Sequence, residues 1–213
     1  CWTRSDAERT VILDISTDPA GAVDAAVACL RAGGVVVLPT ETVYGVAALA
    51  DDSSAVEELF VRKGRPADRR VAVLVADLDQ ARSLAVFDKR ATALAAATWP
   101  GPLTMVLPTA PGSDETTVGV RCPDHALVRA IATAVGPIAT TSANRSGDPT
   151  AVEAASAAAS LGGDLLVLDG GPCAGMPSTV VDLTVDPAVV LREGAVAVAD
   201  LEAVGIWVEP ASA

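Results

Sequence analysis

The sequence predicts an α/β fold. Half of the 213 residues are hydrophobic but only 3% are aromatic, so we expect a core of Ala, Val and Leu, the usual filling of buried strands and closely packed helices. Short apolar runs bounded by Gly or Pro alternate with longer stretches of helical periodicity. The length suits one large domain, or one domain with an extension.

Apolar patterns and turn residues place the individual elements. The predicted strands are residues 11–13 (an edge strand or part of a tail), 35–38, 71–75, 103–107, 116–121, 137–139, 165–168, 179–183 and 188–192. The predicted helices are residues 19–31, 53–60, 78–84, 89–98, 124–135 and 151–159, with a short helix and a frayed tail within 195–213. Gly33 and Gly34 end the first helix, Pro39 ends the second strand, and Asp124 is the expected N-cap of the fifth helix.

The charge balance and the rarity of His exclude several classes of function. A net charge of −12 argues against nonspecific binding to nucleic acid or to anionic membranes, so any RNA contact is expected to be local. The four cysteines lack metal-ligand spacing, and His125 is the single histidine, which disfavours a zinc site or a His-based triad. No apolar run reaches the length of a membrane helix and no signal-peptide pattern opens the chain, so we expect a cytoplasmic protein without membrane association.

Residues 62–70 carry five of the 15 basic residues of this acidic chain. The stretch follows a predicted helix and precedes a predicted strand, and its Gly and Pro are typical of a loop. Arginine and lysine side chains bind phosphate well, so a polyphosphate substrate is one interpretation, and a solvated surface loop is the other. If the charges are exposed, replacing Lys63 or Arg65 by Ala should abolish activity and leave the fold intact.

Polar residues cluster after two other predicted strands. Residues 40–45 follow the second strand, and residues 140–147 follow the strand at 137–139 with hydroxyls, an amide and a Gly, a combination suited to binding phosphates or a ribose. Arg121 ends a further strand, and residues 99–102 (Trp-Pro-Gly-Pro) form either a pocket-shaping loop or a plain connector. Neither a Walker loop nor a GxGxxG motif is present, which disfavours the common nucleotide-binding folds.

Six sequence blocks together resemble the YrdC-like family, and they cover nearly the whole chain. In order they are Leu-Pro-Thr-Glu-Thr-Val-Tyr-Gly at 38–45, Lys-Gly-Arg-Pro at 63–66, Trp-Pro-Gly-Pro-Leu-Thr at 99–104, Val-Arg at 120–121, Thr-Ser-Ala-Asn-Arg-Ser-Gly at 141–147, and Ser-Thr-Val-Val-Asp at 178–182 with Leu-Arg at 191–192. The resemblance implies a twisted mixed sheet flanked by helices around a positively lined concave cavity. It also implies a catalytic domain at 19–194, between an N-terminal extension or edge strand (1–18) and a C-terminal helix and tail (195–213).

The activity implied by the resemblance is the synthesis of threonylcarbamoyl-AMP and pyrophosphate from L-threonine, bicarbonate and ATP. This is a nucleotidyl transfer that supplies the t6A modification of tRNA, with Mg²⁺ accompanying ATP and partner proteins receiving the adenylate. The implied catalytic residues are Lys63 and Arg65. The implied ATP-binding residues are Lys63, Arg65, Arg69, Thr104, Ser142, Asn144 and Arg192, and the implied threonine-binding residues are Thr40, Arg121 and Ser178. No metal ligand is implied among the side chains.

Three positions depart from the family pattern and leave the amino acid substrate open. Arg70 stands where relatives usually carry a small residue or Pro, Glu193 follows Arg192 where Pro is common, and Leu74 stands where some relatives have a His that touches threonine. Alternatives are therefore a paralogue that adenylates another carbamate, and an RNA-binding module without catalysis. A carbamoyl-adenylate former of the hydrogenase-maturation kind is a further possibility, although such relatives carry additional catalytic domains.

Overall fold

The fold is a large mixed sheet flanked by helices, as predicted, in a computed structural model that describes residues 10–64 and 71–210. The strands are β1 (Val11–Asp14), β2 (Val36–Leu38), β3 (Gly45–Leu49), β4 (Ala72–Leu74), β5 (Leu103–Pro108), β6 (Thr117–Arg121), β7 (Ile138–Ser142), β8 (Leu166–Asp169), β9 (Thr179–Asp182), β10 (Ala188–Arg192) and β11 (Val208–Pro210). The helices are α1 (Pro19–Arg31), α2 (Ser53–Lys63), α3 (Leu78–Leu84), α4 (Lys89–Thr98), α5 (Ala126–Val135), α6 (Ala154–Leu161) and α7 (Val198–Ala203).

The 11 strands of the described chain form one sheet in the order β1-β8-β2-β3-β7-β4-β6-β5-β9-β10-β11. Parallel and antiparallel pairs both occur: β4 is parallel to β6 but antiparallel to β7. The N-terminal strand β1 lies at one edge and pairs with β8, which fits the edge strand expected near residues 11–13. Most neighbours in the sheet are far apart in sequence, so the sheet joins segments from the whole described chain.

Four details differ from the sequence prediction. Strand β3 was not predicted, because the Ala-rich segment Gly45–Leu49 has no alternating pattern. Part of the expected frayed tail is strand β11, which pairs with β10. Helix α2 extends to Lys63 and ends at Gly64 in the left-handed conformation, so Arg62 and Lys63 are helical rather than part of a loop. Asp124 is not the N-cap of α5: that position is His125, which makes no side-chain capping bond.

Helices cover parts of both faces of the sheet and enclose an aliphatic core. α1 and α5 pack against β2, β3 and β8 through residues such as Leu30, Val128 and Ile131. On the other face, α2 and α6 cover the same region, and α3, α4 and α7 cover the β5, β6 and β9–β11 region. No helix in the described ranges is long and apolar enough to span a bilayer.

Candidate functional site

Strand register places predicted site residues from three strands on one face of the sheet. Residues that pair directly across a sheet point to the same side, and residues two apart on a strand share a side. The pairs Ala72 with Thr140, Ala72 with Gly119, and Val106 with Gly119 therefore connect the sides of β7, β4, β6 and β5. Counting two residues along each strand places three predicted residues on this common face: Ser142, Arg121 and Thr104.

Arg121 is the centre of a buried polar cluster with the loop before β3. Its side chain is only 7% exposed, and Nη2 forms an ion pair with Glu41 Oε1 at 2.8 Å and donates to Thr42 Oγ1 at 3.1 Å. Nε donates to the carbonyl of Gly101 at 3.2 Å, which brings the Trp-Pro-Gly-Pro connector to the site. Thr40 Oγ1 lies 2.8 Å from Thr42 Oγ1 and donates to the carbonyl of Val43. Arg121 and Thr40 are thus brought together through Thr42.

The ion pair leaves one nitrogen of Arg121 and one oxygen of Glu41 unused. Within residues 10–64 and 71–210, Nη1 of Arg121 makes no hydrogen bond, and it is not among the solvent-shielded polar atoms that lack a partner. Glu41 Oε1 also accepts from the backbone N–H of Asp124 at 3.1 Å. Its Oε2 is shielded from solvent and has no hydrogen-bond partner in the described ranges.

Ser178 is the centre of a second polar cluster. Its hydroxyl lies 3.0 Å from Thr104 Oγ1 and accepts from Arg192 Nη2 at 3.0 Å, and its carbonyl accepts from both Nε and Nη2 of Arg192. The pKa of Arg192 is lowered by desolvation and by the nearby positive charge of Arg121. The structure therefore joins residues expected on the nucleotide side (Thr104 and Arg192) with one expected on the threonine side (Ser178).

Lys63 lies in a third cluster, with the residues that follow β7. Its Nζ donates to the carbonyl of Ser142 at 2.5 Å, to the hydroxyl of Ser142 at 3.2 Å and to the carbonyl of Asn144 at 2.8 Å. Asn144 Nδ2 donates to the carbonyls of Arg145 and Asp148, and Asn144 Oδ1 is buried without a partner in the described ranges. The expectation of an exposed Lys63 was wrong, because the residue is only 3% exposed. Its helical position turns the side chain under the loop after β7.

The remaining basic residues of the 62–70 stretch separate into two groups. Arg62 pairs with Glu58 at 2.8 Å and bonds the carbonyl of Gly162, which is a structural role. The predicted ATP-binding residues Arg65 and Arg69, and the departure at Arg70, lie outside the described residues.

The positively lined cavity remains a prediction. A groove of about 810 Å³ runs between α2, β4 and residues 109–119, and a smaller one of about 260 Å³ lies beside Trp99 and Cys122. Neither groove is lined by any of the predicted site residues that the structure describes.

Tyr44 connects two loops of the site. The side chain is fully buried, and its hydroxyl donates to the carbonyl of Gly171 at 2.7 Å and accepts from the N–H of Gly170 at 3.1 Å. The neighbouring Thr42 carbonyl accepts from the N–H of Gly175 at 2.8 Å. These bonds fix the segment that leads to Ser178 against the segment that carries Thr40. The Thr-Glu-Thr-Val-Tyr-Gly run predicts a polar cluster at a strand end, but the sequence alone assigns no role to its Glu41, Thr42 or Tyr44.

We expect the single tyrosine to titrate about two pH units above a free tyrosine. Burial is the main cause that raises the pKa of Tyr44, to about 12 from 10. Because the folded-state pKa exceeds the unfolded-state pKa, the stabilisation that depends on the protonated phenol is complete below pH 10 and is lost as the pH rises to about 12. Spectrophotometric titration of phenolate absorbance, together with unfolding measured at pH 9 and pH 11, tests this. Native titration near pH 10 would contradict the buried hydroxyl network.

Comparison with known proteins assigns the chain to a family. The family model named for Sua5, YciO and YrdC, and described as "Telomere recombination", matches residues 28–194. The chain belongs to this family. A threonylcarbamoyl-AMP synthase of Bacillus subtilis is 40% identical over 190 residues, which cover 84% of this chain and 55% of that protein. A putative threonylcarbamoyl-AMP synthase of Mycobacterium leprae is 42% identical, over 88% of this chain and 89% of its own length.

The solved family structures share the fold. The crystal structure of P. abyssi Sua5 complexed with L-threonine superposes with a TM-score of 0.84 at 36% identity, covering 94% of this chain and 62% of that one. The chain thus spans about half the length of the B. subtilis relative and less than two thirds of the P. abyssi structure. Residues 28–194, which the family model matches, contain the three polar clusters described above.

Proposed function

We propose that this chain is a threonylcarbamoyl-AMP synthase, which converts L-threonine, bicarbonate and ATP into threonylcarbamoyl-adenylate, pyrophosphate and water. The observation that carries the proposal is the pair of hydroxyl-rich clusters around Arg121 and Arg192, two arginines bonded to Thr42 and Ser178 in an acidic protein. Relatives named threonylcarbamoyl-AMP synthase, and the family structure with L-threonine, support it. The class is a nucleotidyltransferase, with residues 19–194 as its catalytic unit.

The chemistry requires positive charge and fixed donors more than a strong base. A carbamate that attacks the α-phosphorus of ATP brings two anions together, so cations and oriented N–H and O–H groups must lower their repulsion. Burial lowers the pKa of His125 and disfavours its charged form, although the Glu41 carboxylate partly offsets the effect, so the positive charge of the site comes from Arg and Lys side chains.

The residue roles follow the three clusters. In our proposal Arg121, Thr40 and Ser178 hold threonine, with Nη1 of Arg121 facing its carboxylate. Thr104 and Arg192 line the nucleotide side, adjacent to Ser178. The ATP-phosphate group comprises Lys63, Arg65, Arg69, Ser142 and Asn144.

The hydrogen bonds of Lys63 make part of its proposed role indirect. Nζ already donates to the carbonyls of Ser142 and Asn144, so it holds the loop whose hydroxyl and N–H groups would face the phosphates. Lys63 would thereby position these donors and add its charge to the phosphate site.

Magnesium would enter with ATP. Mg²⁺ commonly keeps several waters and is held by nucleotide phosphates and one or two carboxylates. Residues 10–64 and 71–210 contain no group of three or more acidic, His or Cys side chains placed to bind a metal ion. In our proposal the phosphates hold the ion, and the protein contributes cations and donors.

Pyrophosphate release from ATP tests the proposal. We expect release from MgATP that requires both bicarbonate and L-threonine, with serine and glycine as controls. A different amino acid requirement would make the chain a paralogue that adenylates another carbamate. Dependence on carbamoyl phosphate, or RNA binding without nucleotide turnover, would contradict the proposal. With the activity established, transfer of the product to tRNA by partner proteins, and a cytoplasmic location, would follow as the biological setting.

A further inference from the structure

Glu41 is a carboxylate within the candidate site to which the family motif assigned no role. Its Oε1 is bonded to Arg121 and to the backbone of Asp124, whereas Oε2 is shielded from solvent and has no partner among residues 10–64 and 71–210. Leaving a carboxylate oxygen desolvated and unpaired is unfavourable. Such an arrangement is expected where a ligand supplies the missing donor.

The geometry of the ion pair shows what it leaves available. Arginine and carboxylate groups commonly form two parallel hydrogen bonds, which use two nitrogens and two oxygens. Here Oε1 of Glu41 pairs with Nη2 of Arg121 alone, and Nη2 is also shared with Thr42. Among the described residues, the ion pair therefore leaves the donor nitrogen Nη1 of Arg121 and the acceptor oxygen Oε2 of Glu41 without a hydrogen bond.

An α-amino acid is complementary to these two groups. It carries an anionic carboxylate and a cationic ammonium on the same carbon, so its site needs a donor and an acceptor side by side. We propose, on the basis of the function proposed above, that Glu41 binds the ammonium group of the amino acid substrate while Nη1 of Arg121 binds its carboxylate. Rotation about the soft terminal torsion of Glu41 turns Oε2 towards the ligand.

The carboxylates of Asp124 and Asp169 already have other partners. Asp124 is exposed and pairs with Arg129 at 3.4 Å, and Asp169 accepts from the N–H of Gly171 and lies 3.3 Å from the hydroxyl of Tyr44. Within the described ranges, Glu41 is the carboxylate in direct contact with Arg121. The proposed site therefore selects α-amino acids over the corresponding hydroxy acids.

A comparison of two ligands tests this role. Calorimetric titration measures the affinities of the wild type and of Glu41→Gln for L-threonine and for 2,3-dihydroxybutanoate, in which a hydroxyl replaces the ammonium. Where the hydroxy acid binds weakly, its affinity is measured by displacement of threonine. We expect Glu41→Gln to weaken threonine binding by about tenfold or more, the scale of a hydrogen bond between charged groups, and the hydroxy acid by less than about threefold. Glu58→Gln, which removes a carboxylate paired with Arg62 at the same 2.8 Å, is the matched control and should change neither affinity.

The outcomes separate this inference from the proposed function. An equal loss of affinity for both ligands in Glu41→Gln would show that Glu41 acts only through Arg121. Tighter threonine binding would show that Glu41 competes with the substrate carboxylate. Either result overturns the inference alone, provided that the wild type binds threonine. A wild type that neither binds threonine nor releases pyrophosphate with it overturns the proposed function as well. Thermal unfolding and MgATP affinity of Glu41→Gln confirm that the variant is folded.

Discussion

Replacing Arg121 by Met is expected to lower the free energy of unfolding by about 3–5 kcal/mol, because it leaves Glu41 as an uncompensated, largely buried charge. The substitution also removes the donors to Thr42 and Gly101, and with them the fixed position of the Thr40–Val43 loop. Denaturant unfolding measures the effect. Arg82→Met, which removes an exposed ion pair with Asp79 at 3.9 Å, is the control and should cost about 1 kcal/mol or less.

A double-mutant cycle separates the charge effect from the packing effect. Glu41→Gln removes the charge that Arg121→Met leaves unpaired, so the double variant should be more stable than the sum of the two single effects predicts. Additive effects would show that the ion pair contributes little and that Arg121 acts through Gly101 and Thr42. Threonine binding should be lost in both variants that lack Arg121, whatever their stability.

Replacing Lys63 by Met is expected to abolish threonine-dependent pyrophosphate release, and also to lower the free energy of unfolding by about 2–3 kcal/mol. The stability effect arises because the carbonyls of Ser142 and Asn144 lose a buried donor while the apolar stem is retained. This differs from the expectation for an exposed loop residue, for which the fold would be unaffected. The chain's other lysine, Lys89, is exposed at the start of α4, so Lys89→Met is the matched control with neither effect expected.

Temperature separates the two roles of Lys63. At a temperature where circular dichroism shows Lys63→Met to be fully folded, pyrophosphate release should still be absent if the ammonium, or the loop that it holds, serves the phosphates. Recovery of turnover on cooling would show that Lys63 contributes to stability alone. MgATP affinity measured under the same conditions reports whether the phosphate site has formed.

The sequence was sufficient to predict elements whose signal is local. Most strands and helices, including α1 with its glycine stop, and the chemical character of the polar clusters follow from composition, turn residues and motif order. Contacts between distant segments could not be predicted in this way. Arg121 and Thr42 are 79 positions apart, and the burial of Lys63 depends on a loop equally remote in sequence. Strand β11 was missed because its short segment becomes a strand only by pairing with β10.

The polar residues of the candidate site come from both the centre and one edge of the sheet, so local unfolding of that edge would disrupt the site. Ser178 directly precedes β9 and Arg192 ends β10, close to the β11 edge, whereas Arg121 and Thr40 belong to more central segments. Opening of the β9–β11 edge by local unfolding would therefore displace Ser178 and Arg192 while the central strands stay paired. A ligand that contacts both Arg121 and Arg192 would link the centre of the sheet to this edge and oppose its opening. Ligand binding should therefore slow amide hydrogen exchange in β9 and β10.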